Sequence, residues 1–111
     1  MKTQFHTVLL TALLASLSAP LLADDTIYTL TIKDHQFTPS ELTIPADTRV
    51  KVVVKNLDPT PEEFESYELN REKIVPGGKE IIVYIGPVKP GRYPFFGEFH
   101  QDTAKGVIIA K

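Results

Sequence analysis

The sequence has 111 residues, which fits one domain and excludes a multidomain enzyme. It contains no Cys and no Trp, and its one Met is Met1. Without cysteine, a disulfide framework, a thiolate zinc site, an iron–sulfur cluster and a thiol nucleophile are excluded. The 12 basic and 14 acidic residues give a formal net charge of -2, so no general attraction to nucleic acid or anionic lipid is expected. Nine Pro and six Gly favour a small β-rich domain divided by turns.

Residues 1–23 have the layout of a secretory signal peptide. Lys2 supplies the positive start, residues 8–15 are mostly apolar, and Ala23 precedes two aspartates. The apolar stretch is shorter than the roughly 20 residues that a membrane-spanning helix needs. We therefore predict a signal peptide over 1–23, cleaved after Ala23 or alternatively after Ala19, and one domain over 24–111.

The rest of the chain predicts seven or eight short strands. Apolar and polar residues alternate in residues 28–32 and 50–55, which is typical of strands with one buried face. Further strands are expected in 42–44, 64–69, 80–85, 93–96 and 106–110, while 70–73 could form one helical turn. No segment has a sustained helical period. The regular spacing of strands and turns predicts an all-β, antiparallel sandwich or barrel.

An acidic stretch, Glu62-Glu63-Phe64-Glu65, carries the first unusual chemistry. If Phe64 points into the core, Glu63 and Glu65 share the opposite face about 7 Å apart. Two like charges at that distance repel, so the arrangement is unfavourable unless a cation lies between them. The alternative is a solvated loop edge without a metal.

The second unusual stretch is residues 91–100, which ends in Gly97-Glu98-Phe99-His100. If the strand of 93–96 continues, Glu98 and His100 share one face. Carboxylates with an imidazole form a hard to borderline ligand set that suits iron, manganese or Cu(II). The alternative is that His100 is a surface residue.

Both halves of the chain resemble a cupredoxin domain. Residues 37–56 read Phe-x-Pro-x-x-Leu-x-Ile-Pro-Ala, then alternating valines and Asn, as in the opening half of that family. Residues 76–106 provide Pro-Gly-Gly, Gly-x-Tyr-x-Phe, a His and a Gly, as in the closing half. The resemblance implies a cupredoxin-like Greek-key β-sandwich of seven to eight strands.

The copper ligands of blue-copper cupredoxins are mostly missing from this sequence. By position, the resemblance places His100 at the second histidine ligand of the family. Gly97 occupies the position of the cysteine ligand, and Lys105 lies near the position of the methionine ligand. The first histidine position falls on Glu62 or Glu63. A type 1 copper centre needs the thiolate, so the resemblance excludes blue-copper electron transfer.

A narrower resemblance suggests which function replaces blue-copper electron transfer. The Glu-aromatic-Glu at 63–65 resembles the cupredoxin-like domain of EfeO-type periplasmic iron-uptake proteins. Residues 58–73 and 96–100 together resemble small periplasmic cupredoxins associated with ferrous-iron permeases. This resemblance implies a periplasmic protein that handles iron, with or without copper, for an inner-membrane permease.

We therefore predict a metal site that holds iron and/or copper through Glu63, Glu65, Glu98 and His100, with Glu62 as a substitute. His35 is expected in a solvent-exposed turn, with membership of a metal site as the alternative. Glu68 is expected on an outer face, and Arg71 and Lys73 could pair with Glu68 or Glu72. Binding and delivery are favoured over enzymatic turnover, with ferroxidase-like activity as a third hypothesis. The alternative from another class is a metal-free interaction module that docks on a transporter or partner protein.

Overall fold

The computed structural model describes Thr3 and residues 26–111, and the predicted signal peptide lies outside these residues apart from Thr3. Alternating apolar residues form most of the strands, and most of the prolines fall between them. Nine strands and one 3-10 turn occur in the described part of the chain, in this order: β1 (Ile27–Lys33), β2 (Gln36–Thr38), β3 (Glu41–Ile44), β4 (Val50–Asn56), β5 (Glu62–Ser66), β6 (Arg71–Val75), β7 (Glu80–Ile85), β8 (Gly91–Gly97), the 3-10 turn (Glu98–His100) and β9 (Lys105–Ala110).

The strands form two sheets. The first sheet has the order β2-β1-β4-β7, and the second has the order β3-β9-β8-β5-β6. β1 pairs with β4 and β3 pairs with β9 in parallel, while the other neighbours are antiparallel. The prediction of an all-β Greek-key sandwich is confirmed. No helix among the described residues is long and apolar enough to cross a membrane.

The core lies between the two sheets and follows the alternation seen in the sequence. In β4, Val50, Val52 and Val54 are at most 1% exposed. Three phenylalanines from both sheets fill the centre, with the Phe37 ring 4.9 Å from Phe95 and Phe95 5.3 Å from Phe64. Each fully buried aromatic side chain contributes roughly 1.5–3 kcal/mol relative to an exposed one. Phe64 therefore fixes which face of β5 points inward.

Two details of the sequence prediction are wrong. Residues 71–75 form β6 rather than a helical turn, because they pair with β5 and complete the edge of the second sheet. β2 is an additional short edge strand, held by its antiparallel pairing with β1. Both strands lie at sheet edges, where one apolar residue is enough for packing and the alternation signal is weak.

Candidate metal-binding site

A polar loop sets the start of β5. Asn56 is buried, and its side-chain amide donates hydrogen bonds to the carbonyls of Thr60 (2.8 Å) and Val75 (3.1 Å). Its side-chain oxygen accepts a hydrogen bond from the Asp58 N–H at 3.0 Å. The loop between β4 and β5 is therefore tied to the end of β6, which fixes the position at which the acidic strand begins.

The alternation of β5 divides its glutamates between two faces. Glu62, Phe64 and Ser66 are each at most 1% exposed and lie on the inward face. Glu63 and Glu65 lie on the opposite, outer face, because successive side chains of a strand point to opposite sides. The predicted sharing of one face by Glu63 and Glu65 thus agrees with the structure.

Glu98 and His100 lie in a 3-10 turn that follows β8, and their side chains point to different sides. The strand β8 ends at Gly97, so the condition for Glu98 and His100 to share a strand face is not met. In the loop that follows the 3-10 turn, the N–H groups of Thr103 and Ala104 both donate to the His100 carbonyl, at 3.2 and 2.8 Å, and the Gly97 N–H donates to the Ala104 carbonyl at 2.9 Å. The side chain of Glu98 joins the outer glutamates, whereas His100 reaches Glu62 on the inward side.

The inner group consists of His35, Glu62 and His100. Their ligand atoms lie within 4.8 Å of one another. Glu62 Oε2 lies 2.5 Å from His100 Nδ1, and the Glu62 side chain is only 2% exposed. The rings of His35 and His100 are stacked, with centroids 3.5 Å apart and planes 12° from parallel. The turn residue His35, expected in solvent, is 41% exposed but packs on a predicted ligand.

Asp58 fixes His35 from the other side. Its carboxylate accepts hydrogen bonds from the N–H groups of Asp34 (2.8 Å) and His35 (3.0 Å), and Oδ2 lies 3.4 Å from His35 Nδ1. The hydrogen bond from the His35 N–H lowers the pKa of Asp58. Asp34 and His35 have positive φ angles of 51° and 58°, a conformation that few non-glycine residues adopt without such support.

The Glu62 carboxylate fills the space beside Gly97. A Cβ atom placed on Gly97 would lie 2.6 Å from Glu62 Cδ and 2.7 Å from Ala104 Cβ. No side chain fits there while Glu62 keeps its position. Gly97 is the residue that corresponds to the copper-binding cysteine in the sequence resemblance, so a carboxylate lies where a thiolate would be.

The outer carboxylate cluster consists of Glu63, Glu65, Glu72 and Glu98. Glu65 and Glu72 face each other across the β5–β6 pair, and Glu63, Glu65 and Glu72 have ligand oxygens within 4.8 Å. A hydrogen bond with Glu98, loss of solvation and the nearby negative charges raise the pKa of Glu65 to about 7. A hydrogen bond with Glu72 raises the pKa of Glu63. Glu98 Oε2 is buried and accepts no hydrogen bond.

No basic side chain among residues 26–111 forms an ion pair with this cluster. The ion pair that a Lys or Arg does form within residues 26–111 lies elsewhere, between Arg92 and Glu41 at 3.7 Å. Arg71 Nε donates to the Tyr84 carbonyl at 2.7 Å, and Lys73 Nζ donates to the Ile82 carbonyl at 2.8 Å. The expected pairing of Arg71 and Lys73 with the glutamates is therefore wrong. Both cations cover the free edge of β7, where unpaired carbonyls need donors.

The predicted ligands thus fall into two groups. Glu63, Glu65 and Glu98 meet in the outer cluster, while Glu62 and His100 meet in the inner group. Sequence reasoning missed Glu72, whose place depends on recognising β6, and it favoured a solvent-exposed turn for His35 over a place in a metal site. Glu68 is exposed, as expected, and belongs to neither group.

The comparisons with known proteins establish the family. The model of the family described as "Cupredoxin-like domain" matches residues 6–110, so the chain belongs to the cupredoxin-like domain family. It is 50% identical over 80 residues to "Uncharacterized protein RP394" of Rickettsia prowazekii (strain Madrid E), covering 72% of this chain and 64% of that protein. The chain therefore spans just under two thirds of that relative.

Solved structures at low sequence identity share the fold. Auracyanin A, a "blue" copper protein from Chloroflexus aurantiacus, matches with a TM-score of 0.66 and 12% identity, covering 78% of this chain and 98% of auracyanin. The metal binding domain of the Cu(I) exporting P-type ATPase CopA from Streptococcus pneumoniae D39 matches with a TM-score of 0.65 and 13% identity, covering 77% of this chain and 84% of that chain. These structures belong to copper-binding proteins, and at such identities they show the common fold.

A type 1 copper centre does not fit the residues present. Such a centre requires a cysteine thiolate, and the sequence contains no Cys. The place beside Gly97 is filled by the Glu62 carboxylate. The donors that the structure brings together are oxygens and imidazole nitrogens, which suit hard or borderline cations rather than Cu(I).

Proposed function

We propose that the protein is a periplasmic metal-binding protein that holds iron in the outer carboxylate cluster and delivers it to an inner-membrane iron permease. The observation that carries the proposal is that four carboxylates converge without a basic counterion among residues 26–111. A cation would remove the repulsion among Glu63, Glu65, Glu72 and Glu98. The signal-peptide pattern and the sequence resemblance to permease-associated cupredoxins support the periplasmic and transport parts of the proposal.

The chemistry of the cluster favours iron over the soft Cu(I) ion. Carboxylate oxygens are hard donors, and an ion of higher charge gains more from them, so Fe(III) is bound more tightly than Fe(II). Glu72 is exposed on the edge strand β6, so an ion reaches the cluster directly from solvent. Access from an open edge suits uptake and release of an ion as cargo.

Metal titration tests the binding proposal. Purified protein should take up about one equivalent of Fe(II) under anaerobic conditions, measured by calorimetry with a competing chelator. Glu65→Gln and Glu98→Gln should each weaken binding by more than about tenfold, since each variant removes an anionic ligand. Glu80→Gln is the matched control, because Glu80 is an exposed strand glutamate outside both groups. If both cluster variants bind iron like the parent, the cluster is not the site.

We propose delivery rather than catalytic oxidation, because the outer carboxylate cluster is open to solvent at the edge strand β6 and therefore suits release of an ion as cargo. Fe(II) consumption in air should be equally fast with and without added Cu(II). Copper-dependent acceleration would instead support the ferroxidase hypothesis. Failure to bind iron and copper under all conditions would leave the metal-free docking module as the better interpretation.

A further inference from the structure

The inner group contains the elements of a second metal site. We propose that His35, Glu62 and His100 bind one borderline divalent ion of the Cu(II) or Zn(II) type, independently of the iron proposed for the outer cluster. Two imidazoles and one carboxylate form a donor set that such ions prefer, and Cu(II) is the most tightly held among the first-row divalent ions. The proposal extends the function beyond the carboxylate cluster on the opposite face of β5.

The spacing of the three side chains suits a single ion. Bonds from such a metal to nitrogen or oxygen are about 2.0–2.2 Å long, so ligand atoms around one ion lie roughly 3–4 Å apart. The ligand atoms of His35, Glu62 and His100 already lie within 4.8 Å of one another. An imidazole nitrogen binds a metal in the plane of its ring, and the planes of the stacked His35 and His100 rings are only 12° from parallel. One ring must therefore tilt out of the stack for all three donors to reach one ion.

The carboxylate of the group is oriented by the backbone. Glu62 Oε1 accepts hydrogen bonds from the N–H groups of Phe99 (2.9 Å) and Glu63 (3.1 Å). This anchoring leaves Oε2 as the oxygen that faces His100. Hydrogen bonds of this kind hold a metal-ligating carboxylate in place and are part of preorganised metal sites.

The backbones of the two histidines are also held in position before any ion binds. Asp58 accepts the His35 backbone N–H, and Thr103 Oγ1 donates to the His35 carbonyl at 2.7 Å. The His100 carbonyl accepts two hydrogen bonds from the loop that follows it. His35 comes from the β1–β2 turn and His100 from the turn after β8, so the fold brings together ligands 65 positions apart in sequence.

The site is also open enough to receive an ion. His35 and His100 have side chains that are 41% and 29% exposed, whereas Glu62 is 2% exposed. A surface depression lined by both histidines, Glu98, Phe99 and residues 101–103 lies over them. An ion would therefore approach from the histidine side and meet the buried carboxylate last.

Zn(II) and Cu(II) titrations of the purified protein test this proposal, with His6 replaced by Gln so that only His35 and His100 carry imidazoles. One equivalent of Zn(II) should shift the side-chain nitrogen resonances of both histidines, and Cu(II) should give an EPR spectrum with nitrogen ligands. His35→Gln should weaken Cu(II) binding by at least about tenfold. Gln36→Ala, in the strand that follows the same turn, is the matched control and should leave binding unchanged.

Separate outcomes distinguish this site from the outer cluster. The double variant Glu65→Gln/Glu98→Gln should lose iron binding but keep the imidazole-bound copper. Unshifted histidine resonances at saturation, or copper binding by His35→Gln equal to that of the parent, would overturn the proposal and indicate that the group only locks two turns together. His35 is half exposed, so its variant is expected to fold even if His100→Gln does not.

Discussion

The two faces of β5 carry opposite kinds of polar chemistry. On the inward face, Glu62 is almost fully buried, and both its oxygens have partners among backbone N–H groups and His100. On the outer face, Glu63 and Glu65 share their surroundings with two more carboxylates, and Glu98 Oε2 has no partner. Adjacent residues of one strand therefore belong to two different networks. In the inner network the hydrogen-bonding atoms have partners, and in the outer network the negative charges have no positive partner.

This difference indicates which network the fold needs in the absence of a ligand. A buried, fully hydrogen-bonded pair helps to specify a structure, whereas converging like charges oppose folding. A protein retains an unfavourable cluster when the cluster does something else, and cation binding is the chemistry that four carboxylates offer. We therefore expect the inner group to matter mainly for stability without metal and the outer cluster to matter mainly for binding.

The largest expected effect comes from removing Glu62. Glu62→Ala leaves two backbone N–H groups and His100 without their acceptor and creates a cavity, so it should destabilise the metal-free protein by about 3 kcal/mol. Urea denaturation measures this loss. Glu80→Ala, at an exposed position of β7, should change the free energy of unfolding by less than about 0.5 kcal/mol. Equal stability of the two variants would contradict a structural role for the inner network.

A somewhat smaller loss is expected at Gly97. Gly97→Ala places a methyl group against Glu62 and Ala104 and should cost about 2 kcal/mol by the same measurement. Gly91→Ala is the control, because its nearest neighbour would be an ordinary contact at 3.6 Å. In Gly97→Ala/Glu62→Ala the clash with Glu62 is gone, so the double variant should lose less than the sum of the single variants.

The sequence predicted the sandwich and the face of β5 on which Glu63 and Glu65 lie, because both follow from strand alternation. It could not predict that Glu98 and His100 separate, since that depends on backbone hydrogen bonds that end β8 at Gly97. Glu72 was missed because β6 carries little alternation and is defined by its register with β5. The contact between His35 and His100 was not predicted because the two residues lie 65 positions apart, and no local sequence pattern reports such a contact.

The pH dependence of stability should also differ between the two networks. The raised pKa of Glu65, about 7 against a usual 4.5, means that the folded protein binds more protons than the unfolded chain between these values. Stability contributed by the protonated form is complete below pH 4.5 and is lost as the pH rises through 7. Thermal melts of metal-free protein should therefore give a lower Tm at pH 8 than at pH 5.

At strongly acidic pH, the stability of the folded protein should change with pH in the opposite direction, and for a different reason. The pKa of Asp58 is lowered by the His35 N–H, so its contribution is present above the usual pKa and lost at strongly acidic pH. Asp58→Asn should flatten the decline of Tm below about pH 4 without changing the decline between pH 5 and 8. If Asp58→Asn also removed the decline of Tm between pH 5 and 8, the inner and outer networks would be coupled.

The smallest expected effect is a gain in thermal stability, and it tests most directly the difference between the inner and outer networks. Glu65→Gln removes one negative charge and lets an amide N–H donate to the Glu98 carboxylate, so the metal-free variant should melt a few degrees above the parent at pH 8. At pH 5, where Glu65 is already protonated in the folded parent, the two proteins should melt together. Glu68→Gln, at an exposed position outside the cluster, should not show this pH-dependent gain. A variant that is stabilised without metal, yet binds iron more weakly, would show that Glu65 is kept for binding at the expense of stability. A Glu65→Gln variant that melts below the parent at pH 8 would instead show that the outer cluster, like the inner group, supports the fold.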